Sequence, residues 1–143
     1  MKRSVLVAAA GGPLAVIVAP ANVHAAKLLA RPLDAVIVPR PRPTRSQPQH
    51  LCLDKGHDNP TGRAAMADHH YTPHIRRIGE EKLAGRQRRR YPARRWVVER
   101  TLGWLSKCRA ILVRYDQQSS NYLGLLKLAC ALLWFRRLDR LAA

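Results

Sequence analysis

Apolar positions open the chain in two short runs, residues 4–7 and 14–18, both rich in β-branched side chains. Gly11-Gly12-Pro13 lies between them, so the pattern predicts a β-hairpin. Next, Asn22 stands where it can cap a short helix through about Leu33, with Ala25, Ala26, Leu28, Leu29 and Leu33 apolar. Residues 34–38 then pass from that helix into an extended segment. Residues 39–49 hold four prolines, three arginines and no acidic residue, the composition of a loop. Leu51-Cys52-Leu53 reads as a short buried strand that ends in the turn Asp54-Lys55-Gly56. Asn59-Pro60-Thr61-Gly62 starts a helix that runs to about His70, with proline early, where its missing N–H costs little. Residues 71–75 predict a further strand, and Pro73 puts it at an edge. A basic tract without apolar periodicity follows and is read as a loop to about Ala93. A helix is expected from about Arg94 to Tyr115, with Val97, Thr101, Trp104, Cys108, Ile111 and Tyr115 as its buried stripe. Ser119, Ser120 or Asn121 can cap a last helix ending near Leu141. It is apolar nearly all round from Tyr122 to Phe135, yet Lys127 and the short length argue against a membrane span, which needs about 20 apolar residues. A packed core helix is expected instead. The sum is an α/β chain with a helical C-terminal region and no internal repeat.

Charge narrows the partners. With 143 residues there is room for one domain, and 26 Lys+Arg against 9 Asp+Glu give a formal net charge of +17. Such an excess repels itself unless a polyanion neutralises it. A solubilising surface, a membrane-surface protein or a ribosome-associated protein would carry similar charge. Most of the cations are arginine, which prefers bidentate phosphate contacts, so nucleic acid leads, without a choice between DNA and RNA. Cys52, Cys108 and Cys130 are odd in number and form no C-x-x-C pair, which supports neither a zinc ribbon nor a disulfide framework and points to a reducing cytoplasm. One competing reading comes from the start. Lys2 and Arg3, the apolar residues 4–20 and the small-residue step Val23-His24-Ala25 follow the grammar of a secretory signal, which would make this a secreted cationic protein. The Gly-Gly-Pro interruption favours the hairpin.

Two acidic residues stand out. Asp54 falls at the C-terminal edge of a buried strand, where side chains of open α/β sheets project into a cleft. Glu99 sits off the apolar stripe of its helix, with Arg95, Gly103 and Ser106 at the i−4, i+4 and i+7 positions, so that small residues leave space beside it. Carboxylates converging from separate elements can hold an oxygen-seeking Mg²⁺ for phosphoryl transfer. Spacing alone favours plainer roles: a turn residue for Asp54, and a surface pair with Arg95 or Arg100 for Glu99.

Longer motifs shift that balance. Asp54-Lys-Gly-His-Asp58, Pro73-His-Ile-Arg-Arg77, Arg94-Arg-Trp-Val-Val-Glu-Arg-Thr101 and Asn121-Tyr-Leu with Leu128-Ala-Cys-Ala-Leu-Leu-Trp134 resemble the C-terminal catalytic half of insertion-sequence transposases of the DDE type, in the IS-five-like branch. Residues 2–29 resemble the hairpin and helix that precede those motifs, so the likeness covers nearly the whole chain. It implies an RNase H-like fold, a mixed sheet flanked by helices, here partial. It implies Asp54 and Glu99 as the second and third acids of a catalytic triad that holds two divalent ions, Mg²⁺ or Mn²⁺. It also implies DNA as partner, as terminal inverted repeats and target, in the cytoplasm at the nucleoid. Arg95, Arg100 and Lys107 become phosphate contacts near the carboxylates, and Arg76, Arg77, Arg88, Arg89, Arg90 and Arg94 further DNA contacts. The related signature Y-x2-R-x3-E-x6-K is kept at Arg95 and Glu99, whereas Pro92 and Ser106 stand at its Tyr and Lys positions, with Tyr91 and Lys107 each displaced by one. His24-Ala25 stands where relatives often carry His-Asp. The first catalytic Asp is expected on a strand upstream of the hairpin, and Asp34 belongs to the wrong segment. The expectation is therefore an N-terminally truncated chain, inactive alone, that works as a homodimer or with a missing N-terminal half; the alternative is a non-catalytic DNA-binding remnant or inhibitor.

Overall fold

The computed structural model describes residues 1–75 and 95–142, with side chains for 1–75 and 96–140. Lys2–Val7 (β1) and Pro13–Ala19 (β2) pair antiparallel, with Val5 opposite Val16 and Leu6 opposite Ala15. Successive strand residues face opposite ways. Leu6 and Ala15 therefore enter a core with Leu29, Leu33, Leu51, Ala65 and Met66. Val16 faces a second core with Leu105, Ile111, Tyr122, Leu126 and Ala129, against which Val5 and Val18 pack. Both faces of the hairpin are covered, and this explains why β2 is a continuous apolar run rather than an alternation. The turn closes through Gly11, whose φ of +95° suits glycine, while the Ala8 N–H donates to the Gly12 carbonyl at 2.8 Å.

At the open end of the hairpin, Lys2 Nζ donates to the Val23 carbonyl at 2.7 Å. The expected helix from Asn22 to Leu33 is split and starts later. A 3-10 turn spans Ala25–Leu28, capped by His24, whose Nδ1 accepts the Ala26 N–H at 3.3 Å; Ala30–Asp34 (α1) follows. Pro32 accounts for the break, because its ring would collide with the Leu28 carbonyl in a continuous α-helix.

His50–Leu53 (β3) and Thr72–Ile75 (β4) run parallel, with Leu51 opposite Pro73, and Pro60–Asp68 (α2) makes the crossover that parallel pairing requires. β4 pairs with β3 alone among the described strands, so Pro73 does sit at an edge. One mixed sheet was expected from the sequence. The described strands form two separate pairs instead, one antiparallel and one parallel, joined through the Met66 core rather than by backbone hydrogen bonds.

The third helix, Arg95–Leu105 (α3), ends ten residues short of the expected Tyr115. The chain tightens there as Lys107 and Cys108 donate to Trp104 and Leu105, and a 3-10 turn at Arg109–Ile111 follows. Val97, Thr101, Leu105 and Ile111 are buried and Trp104 and Cys108 half-buried, but Tyr115 is 84% exposed. The last helix, Ser119–Ala142 (α4), is also not the all-round core element its composition suggested. Tyr122, Leu126 and Ala129 face the hairpin, whereas Leu128, Leu132, Phe135 and Leu138 are exposed. Among the described residues, no helix is long and apolar enough to cross a membrane.

Candidate active site

Asp54 follows β3 and is exposed. Its Oδ1 accepts the Lys55 N–H at 2.7 Å, which caps the 3-10 turn Lys55–His57. Local hydrogen bonds fix the rest of this loop. Asn59 accepts the Gly62 N–H at 2.9 Å, capping α2, and donates to the Gly56 carbonyl at 3.0 Å; Arg63 Nε donates to Asp58 at 2.8 Å. Gly62 is required by crowding, since a Cβ there would lie 2.4 Å from the His57 carbonyl oxygen. Beside Gly56, by contrast, a Cβ meets nothing within 4 Å among the described residues. The turn role that spacing favoured for Asp54 is thus real, and it leaves the carboxylate at an open surface.

His57 borders the same site. Its Nδ1 is buried without a hydrogen-bond partner among the described residues. Burial lowers its pKa below the ordinary 6.5, opposed by the nearby Asp54 carboxylate and assisted by His24. His24, Asp54 and His57 are therefore neighbours at the open end of the hairpin. Sequence reasoning passed over His57, although its place within Asp-Lys-Gly-His-Asp was a signal. Asp34 is committed elsewhere: its Oδ1 lies 3.1 Å from His69 Nε2.

Glu99 is exposed on α3. Among the described residues, a Cβ at Gly103, one turn on, would meet nothing within 4 Å. The residues that follow Glu99 anchor the helix at the closed end of the hairpin. Thr101 is fully buried, its hydroxyl 2.9 Å from the carbonyl oxygens of both Val97 and Gly11. Arg100 stacks between Trp96 and Trp104, 4.6 and 4.9 Å from their ring centres, and its Nη2 donates to the Ala10 carbonyl at 3.3 Å. Asp54 thus belongs to the open end, while α3 is tied to the closed one. Hard carboxylate oxygens suit Mg²⁺ or Mn²⁺, but no group of three His, Cys, Asp or Glu side chains able to hold a metal ion occurs among the described residues.

Of the expected DNA contacts, Arg100 and Lys107 meet on one cavity of about 560 Å³ at the closed end. Arg95 is the first residue of α3, and Arg76, Arg77, Arg88, Arg89, Arg90 and Arg94 lie outside the described residues. Arg136, Arg137 and Arg140 line the same cavity. These three were missed in the sequence, where α4 was read for its apolar content and not for the Arg-Arg-x-x-Arg at its end.

A family model described as the transposase DDE domain matches residues 1–134. The chain belongs to that family. A Burkholderia cepacia protein named as a transposase for insertion sequence element IS402 is similar, 32% identical over 143 residues. The match takes in 97% of this chain and 64% of that protein, so the chain spans less than two thirds of its relative's length. No solved structure matches the chain. The described residues supply carboxylates from the loop after β3 and from α3, and so fit a divalent ion in part.

Proposed function

We propose that this chain acts in DNA transposition as the catalytic portion of an insertion-sequence transposase of the IS-five-like branch, with an RNase H-like fold. What supports the reading is the family match over residues 1–134 together with Asp54 exposed directly after β3, beside an open Gly56. Asp54 and Glu99 are its metal ligands. When bound there, Mg²⁺ or Mn²⁺ supplies Lewis-acid activation of the attacking oxygen and charge neutralisation at the leaving 3′ oxygen. The chain's own groups do the rest. Lys55 N–H holds one Asp54 oxygen and so orients the other outward. Arg95, Arg100 and Lys107 contact phosphates, and the basic tract of Arg76, Arg77, Arg88, Arg89, Arg90 and Arg94 binds terminal inverted repeats and target, at the nucleoid.

The geometric condition of this reading is that Asp54 and Glu99, on elements anchored at opposite ends of the hairpin, reach one ion. Mn²⁺ titration followed by electron paramagnetic resonance tests it: Asp54→Asn and Glu99→Gln should each abolish the bound signal. Loss with neither variant rejects the shared site. Nicking of terminal-repeat DNA with Mg²⁺ or Mn²⁺ tests the catalytic role: Asp54→Ala should abolish it, and nicking that survives the substitution would overturn the assignment of Asp54.

A further inference from the structure

The cavity at the closed end of the hairpin is not explained by carboxylate chemistry. Its floor is the turn residues Ala10 to Pro13, and its walls are α3 and the C-terminal part of α4. Among the described residues, five cations line it, Arg100, Lys107, Arg136, Arg137 and Arg140, and no acidic residue does. Packing so many like charges around one hollow costs energy unless an anion occupies it. Arg100 adds a second sign. Two indoles fix its guanidinium plane, its one hydrogen bond among the described residues goes to Ala10, and its Nε–H is buried without an acceptor. Arg137 is likewise held 5.8 Å from the ring centre of Trp134. Guanidinium groups positioned in advance lose less entropy when they meet a phosphate and can bind it through two parallel bonds.

We propose that this cavity, where Arg136, Arg137 and Arg140 join Arg100 and Lys107, is a DNA grip that takes the phosphodiester backbone of a strand between α3 and α4. Arg136, Arg140 and Lys107 meet phosphates at the mouth, and Trp104 on the wall offers an apolar face to sugar or base. The assignment of DNA rests on the transposase reading; the anion-binding character rests on the cavity alone. Arg100 directly follows Glu99 on α3, so the grip extends from the α3 side of the proposed site toward the closed end of the hairpin.

The test is the salt dependence of binding to a short, labelled, random-sequence DNA duplex, measured by fluorescence anisotropy. Arg136 and Arg140 are exposed, so Arg136→Ala/Arg140→Ala leaves the fold intact, which circular dichroism checks. Each lost phosphate contact flattens the slope of log K against log salt by about 0.9, so the double variant should lose nearly two units of slope and on the order of tenfold in affinity. Cys108 lines the cavity and gives a local readout. Its alkylation by iodoacetamide, followed by peptide mass spectrometry, should slow at least severalfold when duplex saturates the protein. An unchanged slope, an unchanged Cys108 rate, or protection by RNA duplex but not by DNA overturns the proposal. The transposase reading fails separately, if Asp54→Asn and Glu99→Gln leave metal binding untouched while the cavity variant still weakens DNA binding.

Discussion

The two ends of the hairpin are built by different means. At the closed end, hydrogen bonds join residues far apart in sequence: Thr101 to Gly11 and Arg100 to Ala10 across 90 positions, and Trp134 Nε1 to the Pro13 carbonyl at 2.7 Å across 121. At the open end, the acidic loop is held by bonds that span one to five positions, from Lys55 to Asp54 and from Arg63 to Asp58. Local bonds form and break without the rest of the protein, whereas distant ones stand or fall with the whole fold. The carboxylate at Asp54 therefore rests on a frame that can adjust to a ligand, and the cationic cavity on one that cannot do so without loosening the core.

That contrast can be broken or sharpened by substitution. The largest effect should come from Leu126→Ala in the core on the α4 side and Met66→Ala in the core on the α2 side, both fully buried, at about 3 kcal/mol each. If the hairpin couples the two cores, calorimetry will show a single transition that falls in both variants. Two transitions, with only one moving per variant, would mean that the halves melt apart. Next comes Gly12→Ala, whose Cβ would lie 2.2 Å from Trp134 Cζ2, against Gly56→Ala, which meets nothing within 4 Å among the described residues. The first should lose about 1–3 kcal/mol in urea unfolding through overpacking. The second should stay within roughly 0.5 kcal/mol, the usual range for a surface site. Equal losses would erase the distinction between the ends. Thr101→Val and Asn59→Ala come after these, each removing an anchoring bond worth about 1 kcal/mol; only the Thr101 change should also increase hydrogen exchange in α4. The smallest effect is a pH response at the open end. The lowered pKa of His57 means the unfolded chain takes up its proton first, so stability is full above pH 6.5 and is lost as pH falls below it. His57→Gln should flatten the melting temperature against pH in that window, and an unaltered slope would show that His57 is not the group responsible.

How much of this was legible depended on whether the cause was local. Asn59-Pro60 announced the cap and first turn of α2, and Gly11-Gly12-Pro13 announced the hairpin, because both act within a few residues. Asp54 at the end of β3 was readable for the same reason. The end of α3 was not, because the 3-10 turn at Arg109–Ile111 returns Ile111 to the core and carries the apolar spacing past the last helical residue. No glycine or proline marks that stop. The one-sided burial of α4 was equally hidden, since the composition of a helix does not say how many of its faces find a partner. The split before α1 could have been read from Pro32. The cavity could not: Arg100, Lys107 and Arg140 become neighbours only through contacts with the turn at Gly11 and Gly12.

The three tryptophans of the chain, Trp96, Trp104 and Trp134, all belong to the closed end, two stacked on Arg100 and one bonded to Pro13. Intrinsic ultraviolet emission is accordingly a one-sided gauge. It will register any solute that enters between α3 and α4, and any detachment of α4 from the hairpin, while events around Met66 and the acidic loop pass almost unseen. A probe for that half has to be introduced, and Tyr71, packed beside the Met66 core and already under Arg40, marks where an indole would sit.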